Sequence, residues 1–97
     1  ADKFRIKYAV KNLGNMAIDE MIDLTNDFTY QPRADEVRRN YIDHHREILN
    51  EGDVIGICKR FDSDDKAVKA IDSYRILNKM KNLPEKLEGY KKQLGNI

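Results

Sequence analysis

The sequence predicts an all-α domain: four to five short helices in a helical-hairpin superhelix, preceded by an extended N-terminal arm. Three observations predict it. Ala67, Ala70, Ile71, Tyr74, Leu77 and Met80 recur at three- and four-residue intervals, the period of one helix face. Ahead of them, Asp62-Ser63-Asp64-Asp65 places a capping side chain and carboxylates where a helix start has free N–H groups and partial positive charge. The 97 residues suffice for one modest core and no more. Residues 15–97 are therefore expected to form one helical domain and residues 1–14 the arm.

Phe4, Ile6, Tyr8 and Val10 alternate with Arg5, Lys7 and Lys11, a period of two that predicts an extended segment with one apolar face. If the chain holds no second strand, such an arm has to lie along the helices or add to a partner. Those four residues are the candidate partner contact, because an ordered apolar row is costly in water. Asn12-Leu13-Gly14-Asn15 breaks the pattern. Ile18, Met21, Ile22 and Thr25 then predict a helix of about three turns, with Asp19, Glu20 and Asp23 early in it. Pro32 closes the Phe28-Thr29-Tyr30 segment.

A further helix is expected from Ala34 to Asn50. Val37, Tyr41, His44 or His45, Ile48 and Leu49 would lie on one side, Arg38, Arg39, Asp43 and Glu47 on the other, and Gly52 would end it. Val54, Ile55, Ile57, Cys58 and Phe61 are nearly continuously apolar, which fits a buried helix segment or a short buried strand. Their tight closure onto the next helix favours a helical hairpin. Asn82-Leu83-Pro84-Glu85 predicts a last helix start, with Leu87, Tyr90 and Leu94 as its stripe and Gly95 as its close.

The formal net charge of +1 is unevenly spread. Ala1 to Asp65 carries 10 basic against 14 acidic residues, Lys66 to Ile97 carries 8 against 3, so the basic end suits an acidic partner. No stretch approaches the roughly 18 apolar residues of a membrane span. One cysteine excludes an internal disulfide and suits a reducing compartment. The start at Ala1, without a signal-like apolar run, fits removal of a targeting segment or of the initiator Met alone.

Four features invite chemistry, and each has a simpler account. His44 and His45, with Glu47 one turn beyond, could share a metal ion, but adjacent helical residues point about 100° apart. Cys58 lies among apolar neighbours that suit a buried thiol rather than a nucleophile. The acidic turn lacks the Gly and closing Glu of a calcium loop. Lys79, Lys81, Lys86, Lys91 and Lys92 could grip phosphates, yet few aromatic residues interleave them, which favours a solvated face over nucleic acid. The expectation is a protein that is not an enzyme, with no catalytic, metal or cofactor site and no small-molecule substrate, and with other proteins as its partners.

As a helical hairpin, Asp53 to Lys81 resembles one unit of the tetratricopeptide or pentatricopeptide type. The chain also resembles subunit Va of mitochondrial cytochrome c oxidase, itself a superhelix of such hairpins. Cys58-Lys59-Arg60-Phe61, an Asp-containing turn and Ala67-Val68-Lys69 are similar to that family's basic, apolar, turn and Ala-Val junction. Pro32-Arg33-Ala34-Asp35 and Glu36-Val37-Arg38-Arg39 are similar to its proline-led helix start. Asp19-Glu20 through Phe28 looks like its acidic first helix, and Gln93-Leu94-Gly95 like its Leu-Gly close. The arm from Phe4 to Val10 has no counterpart there. The resemblance implies a non-catalytic accessory subunit without haem or copper ligands. It would be peripheral to the mitochondrial inner membrane on the matrix side, held by other subunits of the complex. The alternatives are a nucleic-acid-binding helical module using the basic C-terminal third, and a small α+β phage or bacterial regulator that binds a host protein through a sheet formed by the arm.

Overall fold

A computed structural model describes residues 1–80 as five α-helices: α1 (Asp2–Asn12), α2 (Ile18–Asn26), α3 (Gln31–His44), α4 (Glu51–Cys58) and α5 (Asp64–Met80). No strand occurs among the described residues. The expected helix from Asn82 to Gly95, Lys81 and the Gln93-Leu94-Gly95 close lie outside them.

The expected arm is a helix. Phe4, Ile6, Tyr8 and Val10 fit a period of two, but Phe4 with Tyr8 and Ile6 with Val10 also stand one helical turn apart. The backbone decides between the two. A strand without a neighbour leaves its N–H and C=O groups unpaired, whereas a helix pairs them within itself. Asp2 in the first turn and Lys11 in the last suit the helix dipole. The change splits the presumed single face, because Ile6 lies about 200° around the helix from Phe4. Ile6 packs against the core while Phe4, Tyr8 and Val10 remain exposed.

Three boundaries also differ from expectation. Proline sits in the first turn of α3, which begins at Gln31 rather than Ala34 and stops at His44 rather than Asn50. The residues after His44 form a turn that buries Leu49 and leaves Ile48 exposed. Gly52 does not end α3; it lies inside the first turn of α4. What starts α4 is a capping box, in which Asn50 Oδ1 accepts from Asp53 N at 2.8 Å and Asp53 Oδ2 accepts from Asn50 N at 3.2 Å. The apolar stretch from Val54 is helical, so the hairpin of α4 and α5 forms as expected. Ser63 caps α5, its Oγ accepting from Lys66 N at 3.2 Å, with Asp64 and Asp65 in the first turn.

The helices repeat with a period of 33 residues that tertiary hydrogen bonds make visible. Asp2 Oδ1 and Oδ2 accept from Thr29 N and Tyr30 N, both at 2.8 Å, while Arg5 Nη1 donates to Asp2 Oδ1 at 3.0 Å. Adding 33 to each number describes the next set. Asp35 Oδ1 and Oδ2 accept from Asp62 N and Ser63 N at 2.8 and 3.0 Å, and Arg38 Nη1 donates to Asp35 Oδ1 at 2.9 Å. Tyr41 O–H donates to Met16 O at 2.7 Å, and Tyr74 O–H to Leu49 O at 2.6 Å, again 33 apart on both sides. Each unit is thus a hairpin, α1 with α2 and then α3 with α4, and α5 opens a third. Units of this length cannot bury their apolar faces alone and are stabilised by stacking.

The second Asp–Arg pair lies deeper than the first. Asp35 and Arg38 are each 1% exposed. Arg38 Nη2 donates to Gln31 Oε1 at 3.0 Å, and Gln31 Nε2 donates to Thr25 O and Phe28 O at 3.1 and 3.0 Å. One network therefore joins the end of α2, the start of α3 and the turn before α5. Around it, Met21, Ala34, Ile42, Val54, Ile57 and Tyr74 form the centre of the core.

Candidate protein-binding site

The repeat sets the frame for the candidate contact residues. Ala1, Phe4 and Tyr8 on α1 correspond to Ala34, Val37 and Tyr41 on α3 and to Ala67, Ala70 and Tyr74 on α5. In the later helices this stripe rests on the preceding hairpin: α3 packs on α2, α5 packs on α4, and each tyrosine reaches that hairpin's loop carbonyl. Exposure separates the three copies sharply. Val37 and Ala70 are 8% and 0% exposed, Tyr41 and Tyr74 3% and 4%, whereas Phe4 and Tyr8 are 74% and 47% exposed. The structure thus keeps Phe4 and Tyr8 together as one solvent-facing pair. Ile6 is separated from them as a core-side residue, and Val10 lies on the opposite flank, 74% exposed.

Tyr8 O–H donates to Glu20 Oε2 at 2.8 Å, across from α1 to α2. That hydrogen bond and the carboxylate charge raise the phenol's pKa above its ordinary value, so Tyr8 is a neutral donor at physiological pH. Backbone N–H groups of Thr29 and Tyr30 lower the Asp2 carboxyl, with Arg5 adding to them. The N-terminal turn of α1 is therefore pinned to the α2–α3 connection by an ionised side chain.

The other candidate features are structural. His45 Nε2 donates to Leu13 O at 2.7 Å and its ring centre lies 4.3 Å from that of Tyr41, the two planes tilted by 39°, while His44 is exposed. Glu47 reaches neither histidine's role, pairing instead with Arg46 at 3.7 Å. Among the described residues no three His, Cys, Asp or Glu side chains gather as a metal set. Burial pushes the Cys58 thiol up to about 11, far from a reactive thiolate. Asp62 to Asp65 serve as turn and cap. Of the basic run only Lys79 is described, in the last turn of α5; Lys81, Lys86, Lys91 and Lys92 lie outside.

The Asp35–Arg38 pair and the tyrosine contacts escape a linear reading, in which Arg38 looks like a solvent-side residue. Their signal is the recurrence itself: Asp2 and Asp35, Arg5 and Arg38, Phe28 and Phe61, and Tyr8, Tyr41 and Tyr74 all stand 33 apart. Comparison with protein-family models, characterised proteins and solved structures finds no match to the chain.

Proposed function

We propose that this protein is a non-catalytic, protein-binding subunit whose hairpin stack serves as a scaffold. On the likeness of its Pro32–Arg39 and Cys58–Lys69 segments to subunit Va of cytochrome c oxidase, we place it in a respiratory complex, on the matrix side of the mitochondrial inner membrane. One observation carries the binding role: Phe4 and Tyr8 stay exposed at a stripe that the next two units bury. Covering a phenylalanine side chain is worth about 1.5–3 kcal/mol, which a partner gains and the free domain does not. A peripheral position agrees with the helices described, none of which is long and apolar enough to cross a membrane.

Native electrophoresis of membranes solubilised in mild detergent tests the assignment. The protein is expected to migrate with an oxidase-containing complex, and Phe4→Glu is expected to release it. Migration as a free monomer with no membrane assembly refutes the respiratory placement.

A further inference from the structure

The repeat also says what kind of surface covers Phe4 and Tyr8, on the premise that the protein binds a partner there. In units two and three the same stripe is covered by one object each time. It is the second helix of a hairpin, α2 or α4, together with the loop leading into that helix, whose carbonyl at Met16 or Leu49 accepts from the tyrosine. The α1 stripe has the same Ala-x-x-apolar-x-x-x-Tyr spacing, Ala1, Phe4 and Tyr8, and its tyrosine O–H, with no preceding loop among the described residues to reach, donates to the exposed Glu20 of α2.

We propose that the Phe4–Tyr8 face of α1 receives a helical hairpin of the partner protein, which continues the stack at its N-terminal end. On docking, Tyr8 O–H leaves Glu20 Oε2 and donates to a backbone carbonyl in the hairpin's loop. Glu20, itself exposed, returns to water, so no polar group is buried unpaired. Specificity comes from the paired requirement for an apolar helix against Phe4 and a free carbonyl one loop away at Tyr8. A disordered peptide or a flat sheet edge does not present both together.

Two experiments test it. The first uses the whole chain preceded by an in-phase second copy of residues 1–33, a hairpin of known geometry placed where the partner's would sit. Amide exchange of the inner α1 is expected to slow by about tenfold or more, and inner Tyr8→Ala to abolish the slowing. If Phe4 is too large for that hairpin, inner Phe4→Val, which reproduces the Ala34, Val37 and Tyr41 stripe, is expected to restore it. Unchanged exchange in both chains overturns the proposal.

The second places a photoreactive phenylalanine analogue at position 4 in the native assembly. The expected cross-link maps to a helix–loop–helix segment of a different polypeptide. A cross-link to a second copy of this chain, to a segment of the same protein outside residues 1–97, to a non-helical segment, or to no protein overturns the proposal. A hairpin cross-link outside any oxidase would sink the respiratory placement alone and leave the hairpin inference standing.

Discussion

Removing the Asp35 carboxylate should be among the most damaging single changes in the chain. Its two oxygens accept from Arg38 Nη1, Asp62 N and Ser63 N, and both it and Arg38 are 1% exposed. The two turn amides lie nearer the surface, so water replaces part of what they lose. The guanidinium has no such recourse. Among the described residues Arg38 Nε has no hydrogen-bond partner, and after Asp35→Ala only Gln31 Oε1 would remain there to accept from the guanidinium. Breaking a buried pair from one side costs about 3–5 kcal/mol, a large part of the roughly 5–15 kcal/mol that holds a domain together. Urea unfolding followed by circular dichroism should show a midpoint lowered accordingly at unchanged slope. The companion variants Arg38→Met and Asp35→Ala with Arg38→Met close the cycle. The double variant should recover about 1–3 kcal/mol relative to the sum of the singles, since no unpaired charge is left inside. A loss below about 1 kcal/mol for Asp35→Ala, or strict additivity in the cycle, refutes the account of Asp35 as the keystone between α3 and the turn before α5.

Four further outcomes are expected. Tyr41→Phe and Tyr74→Phe each leave a loop carbonyl without its donor and should cost about 1–3 kcal/mol in chemical denaturation, while Tyr8→Phe, whose partner Glu20 is exposed, should leave the midpoint in place. Ser63→Ala removes the α5 cap and should cost about 1 kcal/mol by the same assay. Because the folded pKa of Asp2 lies below its ordinary 3.8, its contribution is complete above that pH and is lost as pH falls through the folded value. Asp2→Ala should therefore be less stable than the parent at neutral pH, and the two unfolding curves should converge in acid. With Cys58 held near 11 against an ordinary 9.0, stability should decline as pH rises from about 9 towards 11, and a thiol reagent at neutral pH should react only as fast as the protein opens. Rapid labelling of the native state would contradict the burial of that side chain.

Much of the architecture is local and is written in the chain. The stripe of Ala67, Ala70, Tyr74 and Leu77, the cap at Ser63 and the acidic first turns of α2 and α5 each act within a few residues, so spacing alone identifies them. The class of fold followed from these. Two things could not be obtained that way. A four-residue apolar alternation is equally good as half a strand or as two turns of helix, and only the lack of a neighbouring strand among the described residues decides it for Phe4 to Val10. Likewise a charged side chain such as Arg38 looks destined for solvent until the neighbouring helices bury it together with Asp35 and Gln31, its partners on its own helix. Which apolar residues remain uncovered is likewise a property of stacking: Val37 and Phe4 hold the same place in their units, yet one is buried and the other open to water, because α3 has a hairpin before it and α1 has none among the residues described. Periodicity determines which side of a helix is apolar; the arrangement of units in space determines whether that side is already occupied.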